Sequence, residues 1–97
     1  MDGEEWQGLT VRGRDGAVMG VVVGVFPDGP LAGRLRVEGA YALRRQGRGD
    51  PDGVAVYAIP RRAVLGRRQD SLVLEVTDVQ ARGHWLMHIL QPQGRVV

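Results

Sequence analysis

Length, composition and charge describe one small globular domain. The 97 residues are 43% hydrophobic and 25% charged, the balance of a folded chain with a single core. No apolar run reaches the roughly 20 residues of a membrane span, and the acidic start is unlike a secretory signal. We therefore expect a cytoplasmic protein with no membrane span. The chain has no cysteine, which excludes disulfides, thiol nucleophiles and thiolate metal sites.

The basic residues are unusual in kind but not in number. All 13 are arginine, and the formal net charge is only +2. Arginine stays charged to very high pH, which explains a sequence pI of about 9.9. The codon usage of a GC-rich genome accounts for this preference. So small a net charge is a weak electrostatic indication of nucleic-acid binding.

The first half of the chain predicts three strands, at residues 9–11, 17–26 and 34–38. The Asp15-Gly16 pair predicts a hairpin turn, because glycine readily takes the positive φ of a tight turn. The second strand is dense in valine, and strict alternation would place Met19 on the face opposite Gly20 and Gly24. Glycines that recur on one face indicate a bulge or strong coiling, as the closure of a small barrel requires.

The second half predicts two further strands, at residues 53–59 and 71–77. Pro60 ends the first of them, because proline has no N–H for the ladder. An exposed loop at 39–52, one helical turn at 61–65 and a turn at 66–70 complete the pattern. Five short strands with one helical turn predict an all-β fold, a small barrel of five to six strands. The predicted organisation is a flexible N-terminus (1–8), the barrel (9–77) and a C-terminal extension (78–97).

The order of these motifs resembles that of PRC-barrel domains. Residues 11–22 are similar to the opening of the family, a strand, an Asp-Gly turn and an apolar-Gly pair in a valine-rich strand. Residues 56–60, followed by Val64, resemble its second landmark, an apolar-Pro pair that ends a strand. Residues 71–76 occupy the place of the last barrel strand. The long loop 41–52 and residues 78–97 depart from the core motif.

This resemblance, over residues 9–77, implies a compact PRC-type, SH3-like barrel. The family includes a domain of the photosynthetic reaction-centre H subunit, one of a ribosome maturation factor, and small standalone bacterial proteins. Such domains have no shared catalytic motif and dock onto protein or ribonucleoprotein partners. The resemblance therefore implies a non-catalytic module without a cofactor.

The residues themselves offer no catalytic or metal site. His84 and His88 would share a face of a helix and could touch one metal ion, but no third ligand lies close in sequence, so we expect none to bind. Thr10, Ser71 and Thr77 are the candidate hydroxyl nucleophiles, and each is explained by a position in or at the end of a predicted strand. The glycine-rich segments do not match a phosphate loop.

Two sets of residues are candidates for partner binding. Seven arginines would form a phosphate- or carboxylate-binding patch if the barrel brings them together: Arg44, Arg45, Arg48, Arg61, Arg62, Arg67 and Arg68. The alternative is a solvated surface balanced by nearby acidic residues such as Asp70. The C-terminal apolar segment is either a strand or a short helix, and as a strand it would place Trp85, Met87 and Ile89 on one face. That face packs either on the domain itself or on a second copy.

The sequence thus predicts a protein–protein interaction or assembly module, with a homo-oligomer as one form of that assembly. The alternative function is an RNA- or ribosome-associated factor that uses the arginine patch. A hydrolase or metal enzyme is disfavoured, because no constellation of residues supports one. Gly16, Gly20, Gly24 and Pro60 are predicted to have structural roles.

Overall fold

The computed structural model describes residues 5–41 and 53–90, which form a sheet of seven strands. In chain order the strands are β1 (Thr10–Arg12), β2 (Val18–Val25), β3 (Leu35–Tyr41), β4 (Gly53–Ile59), β5 (Val64–Arg68), β6 (Ser71–Leu74) and β7 (Leu86–Leu90). The helix α1 (Asp78–Trp85) lies between β6 and β7, and short 3-10 turns occupy Gly29–Leu31 and Arg61–Ala63. The prediction of a small, mostly β fold is confirmed.

The sheet is open, with the strand order β5-β6-β1-β2-β3-β4-β7. Neighbouring strands are antiparallel except β1 and β6, which run parallel. The predicted closed barrel of five to six strands is wrong. One added strand, β5, comes from the segment predicted as a helical turn and a turn, and the other, β7, comes from the C-terminal extension. The sheet therefore has two edges, and neither pairs on its outer side within the described residues.

The hydrophobic core lies against one face of this sheet. Alternate residues of β4 (Ala55, Tyr57 and Ile59) belong to the core cluster, whose largest fully buried side chains also include Leu35 and Leu72. The intervening β4 residues, Val56 and Ala58, are outside that cluster and are buried as well. β4 is therefore covered on both faces. None of the helices in the described residues has the length and apolar character to cross a bilayer.

Two bulges interrupt β2. Val11 pairs with Gly20 and Arg12 with Val18, so Met19 is an extra residue opposite β1. Val22 pairs with Val37 and Gly24 with Arg36, which makes Val23 extra opposite β3. Because each bulge shifts the alternation by one residue, Met19 is buried while Val21 and Val23 on the same predicted face are exposed. Strict alternation along this strand is therefore wrong.

The structural positions predicted from the sequence have local roles. Gly16 lies in the β1–β2 turn with φ of 93°, a conformation that side-chain-bearing residues avoid. In the same turn the Gly13 N–H donates to the carbonyl of Ala17 at 2.9 Å. Gly24 adjoins the second bulge of β2. Pro60 directly follows β4 and precedes the 3-10 turn Arg61–Ala63.

The helix α1 begins at a capping box. Thr77 Oγ1 accepts a hydrogen bond from the Gln80 N–H at 3.2 Å, and Gln80 Oε1 accepts one from the Thr77 N–H at 3.0 Å. The predicted strand 71–77 therefore ends early, at Leu74. The Thr-x-x-Gln spacing was visible in the sequence, but the alternation of Leu72, Leu74 and Val76 runs past the end of the strand and masked it.

Candidate interaction surfaces

Four of the seven candidate arginines lie in the described part of the chain. Arg44, Arg45 and Arg48 lie outside the described residues, so the meeting of their loop with the other arginines stays a prediction. The remaining four lie close together in sequence, around the 3-10 turn and strand β5: Arg61, Arg62, Arg67 and Arg68. Their contacts differ. One of the four holds segments of the fold together, and the other three have donors available to a partner.

Arg61 is part of the packing of the fold. Its Nε donates to the carbonyl of Gly33 at 3.2 Å, and its guanidinium lies 5.6 Å from the centre of the Trp6 ring, within the range of a cation–π contact. Trp6 itself is partly buried against the core. Arg61 therefore ties the N-terminal segment and the β2–β3 connection to the turn that follows β4.

Replacement of Arg61 by glutamine is expected to lower the free energy of unfolding by about 1 kcal/mol. The variant loses a charge-assisted hydrogen bond and a cation–π contact at a half-buried position. Denaturant titration measures the change. Arg62→Gln is the matched control, since it removes the same charge from an exposed neighbouring side chain and should change stability by less than about 0.5 kcal/mol. Equal losses in both variants would show that net charge, and not these contacts, matters.

The other three arginines are exposed. Arg67 Nε donates to the carbonyl of Gln69 at 3.0 Å. Arg62 and Arg68 have no hydrogen bond or ion pair in the part of the chain that the structure describes. Asp70, which would balance this charge in the alternative of a solvated surface, makes no ion pair with them there. Arg62, Arg67 and Arg68 are thus the arginines with donors available to a partner.

β5 carries Arg67 and Arg68 on opposite faces of the sheet. Arg67 pairs with Leu72, and Arg68 pairs with Ser71. Directly opposed residues of an antiparallel pair point to the same face, and successive residues alternate. Leu72 is fully buried in the core cluster, so Arg67 lies on the core-side face and Arg68 on the outer face. Leu65, at the bulge of β5, is 67% exposed. We name Leu65, Arg67 and Arg68 the arginine edge.

The C-terminal apolar segment is divided between helix and strand. Trp85 is the last residue of α1, and Trp85 and Leu86 are partly buried against the core. Met87 is a bulge residue, since Val56 pairs with His88 and Tyr57 with Leu86. The three predicted interface residues therefore do not share one strand face: Trp85 packs inward, Ile89 is half-buried opposite Ala55, and Met87 is exposed.

The outer side of β7 is the second surface with unpaired backbone. β7 pairs with β4 on one side and with no strand on the other within the described residues. Met87 and Leu90 are each 41% exposed, and the strand carries no Arg, Asp or Glu. We call Leu86–Leu90 the β7 edge. The exposure of Leu90 and Leu65 could not be predicted from the sequence, because exposure at a sheet edge depends on strand order.

The candidate catalytic and metal-binding residues are separated or have structural contacts. His84 is in α1 and His88 in β7, so the two imidazoles do not share a helix face. No group of three or more potential metal ligands occurs within residues 5–41 and 53–90. Ser71 Oγ accepts a hydrogen bond from Arg12 Nε at 3.4 Å, and Thr77 caps α1.

Comparisons with known proteins return no relative. No family model matches the chain, and no curated protein or solved structure matches it either. The class of protein that can be stated is a small, mostly β domain with an open seven-stranded sheet. The two edges of that sheet are its candidate interaction surfaces.

Proposed function

We propose that this chain is a non-catalytic, cytoplasmic protein–protein interaction module that assembles with a second copy of itself through the β7 edge. The observation that supports this most is the contrast between the two ends of the sheet. Exposed edge strands are templates for further strand pairing, and proteins commonly block them with charged residues. β5 carries two arginines, whereas β7 carries none and exposes Met87 and Leu90.

Two-fold symmetry fits this edge. A two-fold axis that runs beside β7, perpendicular to the sheet, makes the strands of the two copies antiparallel, and each copy contributes the same patch. Backbone hydrogen bonds would join the sheets, and the exposed parts of Met87 and Leu90 would become buried. Apolar area contributes roughly 25 cal/mol per Å² when it leaves water, which favours the paired state.

The test is the mass in solution of the full chain and of two variants. We expect light scattering to give about twice the chain mass of 10.6 kDa. Met87→Arg and Leu90→Arg are expected to give monomers, because each places like charges close together across the axis. The matched control is Val79→Arg, which changes a 69% exposed residue on α1 and should leave the dimer intact. A monomeric wild type, or equal dissociation by the control, would overturn the proposal.

We propose a relationship to PRC-barrel domains on the motifs of residues 9–77 alone. It is supported by the hairpin at Asp15-Gly16 and by the strand that ends at Pro60. The open sheet departs from the closed barrel that the family implies.

An RNA- or ribosome-associated factor is the alternative proposal. It is weakened by the engagement of Arg61 in packing. Single-strand binders also offer exposed aromatic rings for base stacking, whereas the Trp6 ring lies beneath Arg61 and is partly buried.

A further inference from the structure

The arginine edge combines, in one short strand, exposed side chains and main-chain groups that are unpaired within the described residues. β5 pairs with β6 on its inner side, so alternate N–H and C=O groups on its outer side face away from the sheet. Arg67, Arg68 and Leu65 are all exposed on the same strand. Main-chain groups of this kind receive an extended peptide by strand addition, and the side chains beside them select its sequence.

No ion pair among the described residues compensates the charge of this edge. The two β5 arginines make no ion pair in the described part of the chain, and only one donor group of Arg67 is used by a neighbour, the carbonyl of Gln69. A guanidinium has five N–H donors in a planar fork that matches a carboxylate. An incoming acidic side chain could therefore use donors that the fold leaves available.

The positions of the arginines specify the partner further. Arg67 and Arg68 lie on opposite faces of the sheet, as their pairing with Leu72 and Ser71 shows. Successive side chains of an added strand also point to opposite faces. Two consecutive acidic residues would therefore present one carboxylate to each guanidinium. Leu65, 67% exposed, offers an apolar contact to a residue a few positions away.

We propose that β5 binds an extended acidic peptide segment by strand addition, with two consecutive carboxylates on Arg67 and Arg68. This inference rests on the proposed interaction function and adds a second surface to it, distinct from the β7 edge. The same arginines repel a second copy of β5 and so block pairing between copies, whereas an acidic strand neutralises them. Blocking alone requires no binding to a peptide backbone. Only the binding role predicts that methylation of the peptide amides weakens the complex.

The test uses fluorescence anisotropy with a labelled heptapeptide, Val-Thr-Val-Glu-Glu-Val-Thr. We expect saturable binding that weakens at least tenfold with Arg67→Gln/Arg68→Gln. Arg62→Gln removes an exposed arginine outside β5 and is the matched control, with less than a twofold effect. Because the substituted side chains are exposed, thermal midpoints should stay equal, which excludes unfolding as the cause of lost binding.

Two altered probes separate strand addition from simple charge attraction. Glutamine in place of both glutamates, and N-methylation of alternate peptide amides, are each expected to weaken binding at least tenfold. Equal binding of the N-methylated peptide, or displacement by polyuridylate at matched charge, would overturn the proposal. So would the absence of binding by the original peptide.

The two proposals fail independently. Peptide binding by the monomeric Met87→Arg variant would support the arginine edge. It would do so even if a monomeric wild type had overturned the β7 proposal. A dimer that does not bind the peptide would overturn this inference and leave the β7 proposal standing.

Discussion

Gly20→Val is expected to lower the free energy of unfolding by about 3 kcal/mol, the upper end of the usual cost of overpacking. At Gly20 the backbone of β3 leaves no room for a side chain on β2. A Cβ at this position would lie 2.7 Å from the carbonyl carbon of Glu38 and 2.9 Å from the Gly39 nitrogen. Both neighbours are backbone atoms, so a side-chain rotation gives no relief and the strands have to separate.

The opposing glycine makes the same contact in reverse. A Cβ at Gly39 would lie 2.8 Å from the carbonyl carbon of Met19 and 2.9 Å from the Gly20 Cα. Gly39→Ala is therefore expected to be destabilising by a similar amount, even though it adds a single methyl group. The two effects should not add in the double variant, because one separation of the strands relieves both clashes.

Gly24→Ala is the control for these substitutions. It lies on the same strand, but a Cβ there meets no atom within 4 Å. We expect a change in stability within about 0.5 kcal/mol, since only the conformational preference of glycine is lost. Chemical denaturation measures all four variants. If Gly20→Val were as stable as Gly24→Ala, the close approach of β2 and β3 would be wrong.

Deletion of residues 86–97 is expected to cost about 5 kcal/mol and to leave the domain mainly unfolded. The deletion removes β7, whose register includes four residue pairs with β4, and it removes Leu86 from the core. Each lost hydrogen bond costs roughly 1 kcal/mol net, and the loss of a partly buried leucine adds roughly 1–2 kcal/mol. The total approaches the whole stability of a small domain.

The shorter deletion of residues 91–97 is the control, because it keeps every strand of the described sheet. Thermal unfolding at one low protein concentration compares the two chains, so that assembly does not obscure the result. An unchanged midpoint after deletion of 86–97 would mean that β7 adds nothing to the sheet. In that case the proposal that the β7 edge forms the dimer would also be wrong.

Local features of the sequence were sufficient for much of the β-structure. The Asp15-Gly16 turn, the valine-rich strand β2 and the strand ended by Pro60 all follow from conformational preferences of single residues or of short runs. Each of these preferences acts over a few residues. For that reason they are visible without knowledge of the partners of each strand.

Less of the candidate surfaces could be predicted from the sequence. Arg67 and Arg68 could be named as available charges, but their placement on opposite faces depends on the pairing of β5 with β6. β5 itself was predicted as part of a helical turn and a turn, because its sequence, Val-Leu-Gly-Arg-Arg, shows no apolar alternation. Its Gln69-Asp70 turn lacks the usual glycine, and Gln69 takes a φ of 57°.

The sequence by itself determined a small β-rich chain without cysteine and with arginine as its only strongly basic residue. The tertiary structure decided the number of strands, the open sheet and its two unlike edges. It also decided the bulges at Met19 and Val23, which reverse the faces of β2. The physical reason is that strand order and register depend on contacts between residues far apart in the chain, whereas turns and conformational preferences depend on neighbours.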